Sequence, residues 1–83
     1  MKVLDNISWK KLGDRVVAVD TGNGDYYTLN EVASTIWAAL CENKSEDEIV
    51  AKILEEYDIE DAAKVRADID AQLAQWKEMK LIA

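Results

Sequence analysis

The residues able to do chemistry are few, and their spacing argues against a reaction centre. The 83-residue chain has no histidine and one cysteine, Cys41. That excludes the His–Ser and His–Cys pairs of nucleophilic catalysis, a His-bearing zinc site and an internal disulfide. Carboxylates are plentiful, but Glu46-Asp47-Glu48 and Glu60-Asp61 fall at expected helix starts, where the helix dipole accounts for them. Asp68 and Asp70 are two apart on an expected helix and point in different directions, so no paired-carboxylate centre is implied. Asp20, Asn23 and Asp25 flank glycines as in part of a calcium loop, yet the other ligand positions and the bidentate glutamate are missing. Gly22-Asn23-Gly24 is followed by a strand and not a helix, so it is a turn and not a phosphate cradle. Cys41 lies beside Glu42, whereas thiols are activated by positive charge; it reads as a small, partly buried filler. No catalytic residue, metal ligand or cofactor is expected.

Charge narrows the partners. The chain carries a net charge of −7. Residues 1–29 are balanced, with Lys2, Lys10, Lys11 and Arg15 against Asp5, Asp14, Asp20 and Asp25, so the whole excess lies after Asn30. Phosphate backbones are held by clustered Lys and Arg, and the only basic cluster is the pair Lys10-Lys11. Nucleic acid and anionic membrane surfaces are therefore disfavoured. With 49% hydrophobic and 33% charged residues the composition is globular, and the length fits one domain over 1–83 with one modest core. No apolar run approaches a membrane span, and no charged-then-apolar signal segment opens the chain. A soluble protein of a reducing compartment, the cytoplasm, is the expectation.

The elements follow from periodicity and punctuation. Ile7, Trp9 and Lys11 alternate with Ser8, Lys10 and Leu12 as in a strand that ends at the Gly13-Asp14 turn. The β-branched run Arg15–Asp20 predicts a second strand, the turn Thr21–Asp25 follows, and Tyr26–Leu29 predicts a third. Asn30 caps a first helix with apolar face Val32, Ala33, Ile36, Trp37 and Leu40. Ser45 and Glu48 form a capping box for a second, whose buried face is Ile49, Val50, Ile53, Leu54 and Tyr57. A third helix begins near Glu60-Asp61, carries the stripe Val65, Ile69, Leu73 and Trp76, and runs to about Lys80, with Leu81-Ile82 tucked under the domain. A three-stranded antiparallel sheet must place one face on these helices, which gives an α+β fold resembling a winged helix with its wing at the N-terminus.

One feature of this arrangement suggests binding. The third strand of a meander is an edge, and Tyr26–Leu29 contains no lysine, proline or bulge to discourage pairing. An open edge beside an amphipathic helix is what addition of an extended peptide requires. Trp37 reads as core, Trp9 as core or exposed ledge, and Trp76 as core or as a wall of that groove.

The run Asp25-Tyr26-Tyr27-Thr28-Leu29-Asn30-Glu31, with Ala33, Ile36-Trp37 and Leu40, resembles the PqqD-like family. The spacing to Ser45-Glu46-Asp47-Glu48-Ile49, Leu54, Tyr57, Leu73 and Leu81-Ile82 extends the resemblance over about residues 7–82. That family is the RiPP recognition element, which binds the leader of ribosomally made, modified peptides. The resemblance implies three strands then three helices, and a leader bound as an added strand between the third strand and third helix. It implies no catalysis and a partner enzyme, either a leader protease or a radical-SAM enzyme. By position, Tyr26, Tyr27, Thr28 and Leu29 would supply the docking strand, and Val65, Ile69, Gln72, Leu73 and Trp76 the opposite wall. Arg66 and Asp68 would stand at the rim. The Tyr-Tyr before Leu-Asn and the Ile-Trp of the first helix look more like lasso-peptide members than members of pyrroloquinoline quinone synthesis. The rival readings are a winged-helix DNA-binding protein and a self-associating structural module that uses the same open edge.

Overall fold

The computed structural model describes residues 2–83. Strands β1 (Ile7–Leu12), β2 (Arg15–Asp20) and β3 (Tyr26–Thr28) are followed by helices α1 (Glu31–Cys41), α2 (Glu46–Glu56) and α3 (Ala62–Glu78). The sheet is antiparallel in the order β1-β2-β3. Leu12 pairs with Arg15 across a two-residue turn, and Gly13 takes the positive φ (66°) that a side chain would disfavour there.

Register decides which side chains meet the helices. Val16, Ala18 and Tyr27 lie on the inner face, Val16 and Ala18 being wholly buried. They pack with Ile36, Trp37 and Leu40 of α1, Ile49 and Ile53 of α2, and Ile69 and Trp76 of α3. Trp37 is the centre of this core: its ring meets Trp9 edge-to-face at 6.4 Å and Trp76 at 5.1 Å. Its indole N–H has no hydrogen-bond partner among the described residues, so aromatic edges replace polar contacts around it.

The helix starts are as the sequence predicts. Asn30 Oδ1 accepts from the Ala33 N–H, Asp61 Oδ1 accepts from the Lys64 N–H, and Ser45 and Glu48 bond each other's backbone N–H. The stops share one geometry. Lys44 N–H donates to Ala39, Ile59 N–H to Leu54 and Leu81 N–H to Trp76, each closing the 6→1 bond of a Schellman motif. The left-handed residue in each is not glycine but Asn43, Asp58 or Lys80. That turn ends α3 at Glu78, two residues before the expected Lys80. It also swings Leu81 and Ile82 into the core, where Ile82 bridges Val3 beside the N-terminus.

Candidate functional site

The edge of β3 is built by two hydrogen bonds that fix the phase of its ladder. Leu29 N–H donates to Val16 C=O, and Asp20 N–H donates to Asp25 C=O, both at 2.8 Å. In an antiparallel pair the residues facing the neighbour alternate. Asp25, Tyr27 and Leu29 therefore turn their backbone groups toward β2. Tyr26 and Thr28 turn theirs outward, so each presents an N–H and a C=O along the free edge. At the end of the strand, Ser34 of α1 enters the ladder. Its hydroxyl accepts from Val16 N–H at 2.8 Å and lies 3.3 Å from Leu29 C=O, to which it donates. This relay replaces the last rung and steers the chain from β3 into α1. Leu29 thus remains bonded to the sheet although the strand proper ends one residue earlier than expected.

Beside this edge runs a groove of about 430 Å³. One wall is Tyr26, Tyr27, Thr28 and Leu29; Asn30 and Ala33 close one end. The other wall is the α3 face formed by Gln72, Gln75, Trp76 and Met79, at spacing i, i+3, i+4, i+7. Gln72 donates to Gln75 along this face. None of these side chains is charged, in a chain of net charge −7. A neutral, partly apolar trough beside unpaired backbone groups suits an extended chain and offers no proton-transfer or metal chemistry.

The other candidate positions separate. Tyr26, Tyr27, Thr28, Leu29, Gln72 and Trp76 come together on the groove. Val65, Ile69 and Leu73 are buried at 5%, 1% and 5% exposure and do not line it. They are the stripe that seats α3 on the core, and the groove wall lies beside that stripe. Trp76 belongs to both, since its ring is 1% exposed yet reaches the groove floor. Arg66 faces α2, where it hydrogen-bonds Asp47 and pairs with Glu46 at 3.6 Å. Asp68 pairs with Lys64 one turn away, in an exposed contact of little energetic weight. Ala33, Asn30, Gln75, Met79 and the relay Ser34 were not singled out for the site by pattern, although the 72-75-76-79 spacing carries the signal for the α3 wall.

Two other features compare poorly with this groove. A larger depression of about 560 Å³ lies on α2 among Lys44, Glu48, Lys52 and Glu55, with charged walls and no strand edge. The β1 edge carries Lys10 and Lys11, the residue type that discourages strand pairing. Cys41 is half-buried, and burial followed by the neighbouring Glu42 charge pushes its thiol above the usual range. Neither influence activates it as a nucleophile.

Residues 15–82 match the family of coenzyme PQQ synthesis protein D, PqqD. The chain belongs to the PqqD family. Among solved structures, this PqqD-family chain is similar to one described as TbiB1 in complex with the TbiA(beta) leader peptide. The two are 33% identical, with 99% of this chain and 94% of that one covered and a TM-score of 0.92. A structure described as lasso peptide synthetase B1 complexed with the leader peptide has the same fold, at 24% identity, coverage of 99% and 95%, and a TM-score of 0.89. No curated protein matches the chain. PqqD-like recognition elements that bind leader peptides are generally non-catalytic. No helix among the described residues is long and apolar enough to cross a membrane.

Proposed function

We propose that this chain is a non-catalytic, one-domain adaptor that binds the leader segment of a ribosomally made precursor peptide. It takes the leader up as a fourth strand along β3, in the groove against α3, and delivers it to a leader protease or modifying enzyme in the cytoplasm. Lasso-peptide maturation is the favoured pathway over pyrroloquinoline quinone synthesis. The observation that carries this reading is the pair of outward-facing residues, Tyr26 and Thr28, beside an uncharged groove. Membership of the PqqD family and the 33% identity to a leader-peptide complex support it.

Magnitudes divide the labour between backbone and side chains. Four ladder hydrogen bonds from Tyr26 and Thr28 contribute about 2–6 kcal/mol in total, at roughly 0.5–1.5 each. A micromolar complex needs about 8 kcal/mol. Side-chain contacts along the groove must supply the rest, chiefly at the half-buried Tyr27 and Met79, since Trp76 and Ala33 are already buried in the free domain.

The test is a fluorescence-polarisation titration with a labelled leader from a precursor encoded beside this chain. Thr28→Pro removes an outward N–H and leaves the β2 rungs of Tyr27 and Leu29 intact. It is expected to stay folded and to bind at least about tenfold more weakly, a change of about 1.4 kcal/mol. A folded Thr28→Pro protein that binds like the parent would refute strand addition. Leu73 is unsuitable for such a test because a charge there would sit in the core.

A further inference from the structure

The face of the sheet that turns away from the helices is uncovered, and its composition is unlike that of the rest of the molecule. Register places Leu12 beside Arg15, Lys10 beside Val17 and Thr28, and Ser8 beside Val19 and Tyr26 on that face. Leu12 is 53% exposed and Tyr26 72% exposed, and Val17 and Val19 are half-buried. A shallow apolar depression runs between Ser8, Lys10, Leu12, Val17 and Val19. Among the described residues the only charges on the face are the cations Lys10 and Arg15, in a chain whose net charge is −7. The strand acids avoid it. Asp20, in register with Ile7, turns to the opposite side and bonds Asn6 and Gly22, and Asp14 lines the crevice against α1.

We infer that this outer face is a second docking surface, which takes an apolar patch with an acidic rim on the enzyme that receives the leader. The enzyme's identity rests on the delivery step proposed above; the chemistry of the face does not. Two observations select this occupant. Charge complementarity is one, because Lys10 and Arg15 flank Leu12 with no competing carboxylate on the face. Continuity with the groove is the other. Tyr26 and Thr28 present their backbone groups to the groove edge and their side chains to the outer face. A leader strand added at that edge would point alternate side chains onto the same surface. An enzyme seated there would touch both adaptor and leader, so the loaded adaptor would bind it more tightly than the empty one.

A second copy of the chain fits less well. Face-to-face pairing would set Lys10 and Arg15 against their counterparts. The face itself is small, about 20 Å along six residues and about 10–15 Å across three strands. That is roughly a third of the 800 Å² per partner that stable interfaces bury, which suits a transient hand-over.

The experiment uses the full chain and the purified leader-processing enzyme encoded beside it. Enzyme affinity is measured by biolayer interferometry with and without leader, and leader affinity by fluorescence polarisation. The variants are Leu12→Glu and the double variant Lys10→Glu/Arg15→Glu, none of which touches the groove. Both are expected to weaken enzyme binding by about tenfold or more, as for the loss of an anchor residue. The double variant should also invert its salt dependence, because like charges would then face each other across the rim. Leader affinity should be unchanged in both. Unchanged enzyme affinity in both variants overturns the proposal, as does a parent protein that fails to bind the enzyme. A dimeric mass by light scattering that Leu12→Glu reduces to a monomer also overturns it and assigns the face to a second copy. Enzyme binding by a parent protein that fails to bind the leader would refute the groove reading and leave this one standing.

Discussion

Ser34 shows how one hydroxyl holds a binding edge in place. It is the single buried polar side chain among the described residues, and it bridges Val16 of β2 to Leu29 at the exit of β3. Removing it leaves a buried N–H without a partner, which costs about 1–3 kcal/mol. Ser34→Ala should therefore lower the free energy of unfolding by that amount in urea titrations. Because β3 is only three residues long, leader affinity should fall with it. Serine inside an apolar helix face gives no hint of this in the sequence, since its partners are 18 and 5 residues away. Trp76 was ambiguous for the opposite reason. Its stripe position fixes it as core, but only the packed structure shows that the far side of a core ring also floors a groove.

Element boundaries were legible because caps and turns are local chemistry. Asn30, Ser45 and Asp61 cap the three helices as their types predict, and the positive-φ turns fall on Gly13 and Gly24. Hydrogen bonds from the Ser45 backbone and then its side chain hold the Glu48 carboxyl below the usual carboxylate range. The folded value lies below the unfolded one, so this contribution is present above the ordinary glutamate range and is lost as pH falls through the lowered value. Ser45→Ala should cost about 1 kcal/mol at neutral pH, and less once acid protonates Glu48 in the parent. Urea midpoints for both proteins at several acidic pH values check this. The helix stops were less legible, because Asn43, Asp58 and Lys80 occupy positions where glycine is the usual signal. Lysine gains nothing locally from a left-handed backbone, so Lys80→Gly should stabilise the protein by up to about 1 kcal/mol in thermal unfolding. Of the expected α3 wall, Gln72 and Trp76 line the groove, whereas Val65, Ile69 and Leu73 face the core. A stripe such as Val65-Ile69-Leu73-Trp76 identifies the face that meets the core, and the groove lies at its border, on Gln72, Gln75 and Met79.

At the scale of the whole molecule the chain divides its surfaces by chemistry. The helical half carries the acidic excess, the sheet half is neutral and shows two cations on its outer face, and the groove between sheet edge and α3 is uncharged. The sheet has two edges, with lysines on β1 and none on β3, so β3 is the edge less protected against pairing. On the reading proposed here, this division would let so small a domain hold a peptide on one side and offer another to the enzyme that acts on it. The central claim is that the leader pairs with the backbone of Tyr26 and Thr28, and amide hydrogen exchange with and without saturating leader tests it most directly. The account predicts new protection at the Tyr26 and Thr28 amides. Tyr27 and Leu29, already bonded to β2, should change little. Saturable leader binding that leaves the Tyr26 and Thr28 amides exchanging as in the free protein would contradict it.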